Sequence, residues 1–483
     1  MVRTMKYLSL LVLFILFIAI TLLPGGCANP IAPSGGPKDT LAPVLVQVTP
    51  KDSSRSFNAN KIVFTFNEYV DLQNIQENLL VSPTPKVNPI VESKLRTVTV
   101  KIKDTLEPNT TYVINFGNAI KDINEGNVVR NFSYVFSTGH SIDSLELHGR
   151  VIVAQTGKPD STLIVMLHRK DDDSAVIKER PRYMARLDSS GNFSFHHLPP
   201  GTFSLYALKD EGGQHRYLAK SQLFAFADER INTTAKNPSI VLYAYTEKEE
   251  EKKPGGPPGT GAPNRGAPPV AKPTVKGKDQ DKRLKFRFSL EGGAQDLLGN
   301  LSITFNDPLK RFDSSKALLM DDNFKPLDHY TVTADSTHKQ FTYRYAWKEN
   351  TPYVLLLDKD FAEDSAGKKI PRTDTLKFRS MKESDYGSIR LRFNNLDMQR
   401  KPVLLLLQGD DVKYSAKIVT KEVFNKLFKP GEYEIRILYD ANDNGVWDGG
   451  RFFGKHQQPE KVQSIRKKMT VKANWDNEVT LEL

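Results

Sequence analysis

The chain repeats itself. Asn109-Thr110-x-Tyr112-Val113 returns as Asn350-Thr351-x-Tyr353-Val354, Thr65-Phe66-Asn67 returns as Thr304-Phe305-Asn306, and Gly126 returns as Gly367, each 239 to 241 residues further on. A second set follows: Pro200-Gly201 becomes Pro430-Gly431, and Asp210, nine residues past its glycine, becomes Asp440, nine past its own. Several correspondences in register point to duplication of a two-part unit. Whatever fold one copy takes, the other must accommodate with the same landmarks.

The first part of the unit reads as short strands. Lys61-Ile62-Val63-Phe64-Thr65-Phe66 and Thr97-Val98-Thr99-Val100-Lys101-Ile102 alternate with period two. Val44–Val48, Tyr112–Phe116 and Phe132–Phe136 complete the set, with Asn, Gly and Pro between them. That spacing predicts an all-β sandwich. Pro43…Val48-x-Pro50, Ile62-x-Phe64-x-Phe66-x-Glu68, Leu106-x-Pro108-Asn109-Thr110-x-Tyr112 and Asp122-x-x-x-Gly126…Phe136-Ser137-Thr138 resemble a bacterial Ig-like domain of the S-layer type, over residues 42–139.

The second part, residues 143–245, carries Leu147-His148-Gly149-Arg150-Val151, a continuous apolar run Leu163–Leu167, and Asp188-x-x-Gly191-x-Phe193-x-Phe195-x-x-Leu198-Pro199-Pro200-Gly201-x-Phe203-x-Leu205. The last spacing reads as two strands joined by a Pro-Pro-Gly turn. The pattern resembles the transthyretin-like, carboxypeptidase-regulatory-like sandwich, a resemblance that implies a fold and no activity. Residues 283–380 and 383–483 are then the second Ig-like and second transthyretin-like domains. Between the copies, residues 246–282 open with a charged run and continue as a Pro/Gly tract with no apolar face, which predicts a disordered linker between two independent pairs.

The front of the chain reads as a secretory leader. Arg3 and Lys6 precede an apolar run from Tyr7 to Leu23, and small residues then meet Cys27, the single cysteine. Leu22-Leu23-Pro24-Gly25-Gly26-Cys27 resembles the lipobox of bacterial envelope lipoproteins, with Pro24 standing where the pattern has Leu. The resemblance implies a signal peptide over 1–26, lipidation of Cys27 and a tether over 27–41, hence a membrane partner through the lipid, at an outer membrane. An uncleaved membrane anchor is the competing reading, and the run is at the short limit for one. With no other cysteine there can be no internal disulfide, so packing alone must hold the domains.

The net charge is +11, and losing Arg3 and Lys6 with the leader would leave +9. A basic surface suits anionic lipid, lipopolysaccharide or nucleic acid. Because the cations are scattered among acids, ordinary solvated lysines explain it, and no nucleic-acid partner is expected.

One stretch could hold a ligand. In Asp440-Ala441-Asn442-Asp443-Asn444-Gly445-Val446-Trp447-Asp448, oxygen side chains alternate and Gly is sixth. This resembles the front of an EF-hand loop, with Asp440, Asn442, Asn444 and Asp448 offering side-chain oxygens to calcium and Val446 its carbonyl. The twelfth position is Arg451 where that loop has Glu, so any affinity would be on the order of millimolar. The alternative is a tight turn whose side chains bond its own backbone. Trp447 could stack on a sugar or anchor the loop; Trp347 reads as core. No catalytic constellation is legible. His196 and His197 point to opposite faces of a strand, and there is no Gly-x-Ser-x-Gly elbow and no phosphate loop. The expectation is a non-enzymatic envelope scaffold or adhesion module without a required cofactor, binding an envelope protein or, alternatively, a glycan.

Overall fold

The computed structural model describes residues 38–235, 239–247 and 283–483. The lipobox with Cys27, and residues 248–282 of the expected linker, lie outside them. The protein is all-β, with helix confined to single turns among the described residues. The chain divides into two compact units, one ending at Asp143 and the other running Ser144–Leu483.

The first unit is one sandwich. Leu45–Thr49, Lys61–Phe66, Thr97–Lys101 and Ile90–Lys94 form a sheet in that spatial order, and Leu80–Ser82, Thr111–Gly117 and Phe132–Ser137 form another. In Lys61–Phe66 the alternation does what the pleat requires: Ile62, Phe64 and Phe66 are buried while their neighbours are not. Phe64 meets Phe116, Phe132 and Tyr134 edge-on at 5.3–5.4 Å, the preferred aromatic geometry.

The second unit holds three sandwiches. The first of them repeats the layout of the N-terminal unit. Phe286–Phe288, Leu301–Phe305, Gln340–Arg344 and Thr331–Ala334 stand in the same order, and Ala317–Asp321, Pro352–Leu357 and Asp374–Ser380 answer the second sheet. The repeated Asn-Thr-x-Tyr motif has one physical explanation in both copies. Asn109 and Asn350 take the left-handed conformation, with φ of 50° and 47°. The Thr110 and Thr351 hydroxyls donate to the carbonyls of Pro108 and Glu349. The Tyr112 and Tyr353 hydroxyls accept the backbone N–H of Glu107 and Lys348. Trp347 lies in the core of this sandwich, its Nε1 donating to the Gly299 carbonyl at 2.9 Å.

The other two sandwiches share a different layout. In one, Leu145–Val153 runs between antiparallel Asn192–Leu198 and parallel Ile240–Ala244. In the other, Gly387–Asn394 runs between antiparallel Glu422–Phe428 and parallel Asp476–Glu482. The facing sheets also correspond. The order Tyr183–Arg186, Leu163–His168, Thr202–Lys209, Phe224–Phe226 is matched by Asp411–Lys417, Pro402–Gln408, Gly431–Tyr439, Lys461–Val471.

The Pro-Pro-Gly turn joins two strands, as its spacing predicts, but the two are not neighbours in one sheet. Asn192–Leu198 and Thr202–Lys209 belong to different sheets, so the turn carries the chain across the end of the sandwich. The reason is apolar: Phe195 and Leu198 before the turn, and Phe203 and Leu205 after it, all enter the one core between the sheets.

Candidate functional site

Two equivalent strands, Thr202–Lys209 and Gly431–Tyr439, each deliver an aspartate to the start of a loop. Asp440 is fully buried, its carboxylate accepting the N–H of Asn444 at 3.2 Å and of Gly445 at 2.6 Å. Asp210 takes the N–H of Gln214 at 3.1 Å and of His215 at 2.6 Å, at the same offsets. A buried carboxylate is tolerable only when such donors replace water. The Ig-like sandwiches use the same device. Asp122 collects the N–H groups of Glu125, Gly126 and Asn127, and Asp364 those of Ala366 and Lys368.

The rest of the Asp440 loop closes on itself. The Asn442 and Asn444 side-chain amides both donate to Asp448 Oδ2, at 2.7 and 2.6 Å. The Asn442 and Asn444 side-chain oxygens accept from the N–H of Asn444 and of Val446, and Val446 itself is exposed. A residue the sequence reading missed completes the loop. Glu460 accepts the N–H of Ala441 at 2.7 Å and of Asp448 at 3.0 Å, and returns its own N–H to the Asp448 carbonyl. Burial pushes its carboxyl above the usual carboxylate range, with the Asp440 and Asp448 charges adding to the effect. Nothing local marks Glu460, because it arrives from the far end of a long loop. The Trp447 indole donates to the Glu460 carbonyl at 2.8 Å, and its ring packs with Val403, Leu438 and Val462. Among the described residues no group of three or more His, Cys, Asp or Glu is placed to hold a metal ion.

The tip of this loop reaches the other sandwich of its kind. Phe452 lies among Tyr206, Tyr217, Phe224 and Phe226, with ring centroids 5.0–6.3 Å away. Its N–H donates to the carboxylate of Glu247 at 3.0 Å. Glu247, which reads in the sequence as the opening of the linker, is therefore a buried residue with Tyr217 and Lys220 beside it. Gln458 donates to the Phe226 carbonyl and to Asp228, and the Val462 N–H donates to the Ala154 carbonyl at 3.0 Å. At Gly157, φ is +66° and a Cβ would lie 2.5 Å from the Val462 carbonyl oxygen, so only glycine permits the approach. Residues 144–247 and 383–483, expected as members of independent halves, thus pack on one another.

Two continuous apolar runs are buried on both faces of their sheets. Leu163, Val165 and Leu167 point into the sandwich core, while Met166 and His168 are buried on the opposite face. Pro402–Gln408 behaves likewise, with Leu404 and Leu406 in its core and Val403 packed outward against Leu438 and Val462. Sheets covered on both faces read as unbroken hydrophobic strands.

The histidines sort differently from their sequence order. His196 pairs with His148, not His197: both rings lie against Glu146, at 2.8 and 3.0 Å, and hold its carboxyl below the usual range.

Residues 39–138 match the bacterial Ig-like domain family. No curated protein matches the chain. Among solved structures, similar chains include the Bacillus anthracis TIE protein, at 10% identity over 93% of this chain and 76% of that one with a TM-score of 0.17. The N-terminal part of the bacterial S-layer protein SbsC matches at 17% identity over 42% and 44%, with a TM-score of 0.16. BcpA, the major pilin subunit of Bacillus cereus, matches at 9% over 70% and 99%, with a TM-score of 0.17. Scores this low carry no argument about function.

Proposed function

We propose that the protein is a lipid-anchored, non-enzymatic scaffold of the bacterial cell envelope, held at the outer membrane through Cys27. The observation that carries this reading is positional. The single cysteine ends an apolar leader, a Pro/Gly spacer follows it, and the match to the bacterial Ig-like family begins at residue 39. Two acyl chains on one diacylglycerol hold a protein at a membrane far more durably than one. The buried aspartates support a structural role, since their oxygens are spent on backbone N–H groups. Metabolic labelling with a palmitate analogue tests the anchor. The wild type is expected to take up label and Cys27→Ser to lose it; label retained by the serine variant would refute it.

A further inference from the structure

The docking of residues 144–247 and 383–483 leaves an open cavity of about 750 Å³ between them. Its lining includes six cations, Arg150, Lys158, Arg400, Lys461, Arg466 and Lys468, against one acid, Glu434. The scatter of charge along the sequence gives no hint of this, because the cations come from four separate stretches. Both sandwiches contribute, and the lining includes the close contact of Gly157 with Val462 and Ser464.

Four of the six cations pair with no carboxylate. Among the described residues, Arg150, Arg400, Lys461 and Arg466 have no carboxylate within ion-pair distance, the Arg150 Nε donating instead to the Ser190 carbonyl at 3.0 Å, whereas Lys158 pairs with Glu434 at 2.7 Å and Lys468 with Glu432 at 2.9 Å. The Arg400 guanidinium lies 3.6 Å from the centroid of Tyr439, and the Lys461 ammonium 4.3 Å from that of Tyr243, so two rings hold charges in place at the wall. Arg466 is presented by a break in the ladder. Tyr433 pairs with Met469 and Ile435 with Ile465, so residues 466–468 face a single residue of the neighbouring strand and bulge outward. Bulges of this kind re-aim side chains and recur beside functional sites.

We propose that this cavity binds a phosphorylated saccharide. Guanidinium forks and ammonium groups match phosphate oxygens. The hydroxyls and amide of Ser189, Ser190, Ser464 and Gln463 suit sugar hydroxyls. The volume lies in the ordinary range for small-ligand sites and exceeds what inorganic phosphate alone would fill. The ligand could be a soluble sugar phosphate or the headgroup of a phosphoglycolipid, and the two are separated by experiment.

The full chain is titrated calorimetrically with glucose 1-phosphate, glucose and inorganic phosphate. Glucose 1-phosphate is expected to bind, inorganic phosphate at least tenfold more weakly, and glucose not detectably. The double substitution R400A/R466A removes two exposed cations that pair with no carboxylate, so its melting temperature stays within a few degrees of the wild type while affinity falls at least tenfold. R466K alone retains most binding, and K413A, elsewhere on the same sandwich, retains all of it. Vesicles carrying a phosphorylated glucosamine-disaccharide lipid form the second arm. Co-sedimentation lost in R400A/R466A, without uptake of glucose 1-phosphate, assigns the lipid headgroup as the source. Equal binding of glucose and its phosphate, equal binding of inorganic phosphate, unchanged binding by R400A/R466A, or no binding to either probe overturns the proposal.

Discussion

The loops that begin at Asp210 and Asp440 start alike and end differently. Both aspartates follow equivalent strands, and both gather the N–H groups four and five residues on. Phe224 then lies fourteen positions past Asp210, and Val462 twenty-two past Asp440, where the next strands pair at equivalent register. The shorter loop folds back, placing Tyr217 flat on Phe224 at 4.2 Å. The longer one spends its extra length reaching across, so that Phe452 caps the same aromatic face. The shared aspartate therefore fixes how each loop departs, and the inserted residues decide where it lands. Duplication supplied two sandwiches; the insertion made one of them the cover of the other.

The largest expected effect comes from removing that cover. Phe452→Ala should cost about 3–5 kcal/mol, as truncation of a buried aromatic does. It should also split the cooperative unfolding of residues 144–483 into separable transitions. Scanning calorimetry and limited proteolysis measure both. A single unshifted transition would mean that the aromatic contact does not join the sandwiches.

A second difference concerns acid. His168 is buried and holds its ring beside Tyr206, and burial lowers its pKa to about 4. By register its counterpart is Leu407. The unfolded chain takes up this proton near pH 6.5 and the folded chain only near 4, so the unfolded state binds more protons in between. Stability should fall as pH drops through that window, by about 3 kcal/mol in all. His168→Leu, which copies the counterpart, should flatten the pH dependence of unfolding between pH 6.5 and 4. A slope unchanged in the leucine variant would assign the acid sensitivity to other groups.

The smallest effects should come from the loop start. Asp440→Ala leaves the N–H of Gly445 without its acceptor and the N–H of Asn444 with only the Asn442 side-chain oxygen, at a cost of about 1–3 kcal/mol. Asp210→Ala should cost a similar amount while leaving Phe452 seated. Millimolar calcium should change the melting temperature least of all, since the Asn442 and Asn444 amides already close the loop on Asp448. A calcium-specific rise, abolished by Asp440→Ala, would reverse the reading of the loop as a self-satisfied turn.

What could be read in advance follows the range of the interactions. The alternation of Lys61–Phe66 and the paired Asn-Thr-x-Tyr motifs are local, and they announce strands and duplication directly. The run Leu163–Leu167 is legible as apolar, but that Met166 and His168 are buried on the face opposite the core follows only from the folded sheet, where the Tyr206 ring meets His168. Glu460 and the bulged Arg466 are equally silent, because each matters only through partners that the fold assembles. The Pro-Pro-Gly spacing announces two strands joined by a turn, but spacing records a reversal of direction and not which sheet receives the next strand.

The hydrogen bond from Phe452 to Glu247 spans 205 residues. On a chain emerging at about 5–20 residues per second, the partner for Tyr206, Phe224 and Phe226 appears roughly 11–49 s after they do. For that interval the sandwich must present an uncovered aromatic sheet to whatever surrounds it. Its final partner is then delivered last, after the intervening Ig-like domain has been made. The order of synthesis thus sets a waiting period in which a holding chaperone, or a low local concentration of like chains, decides between docking and aggregation.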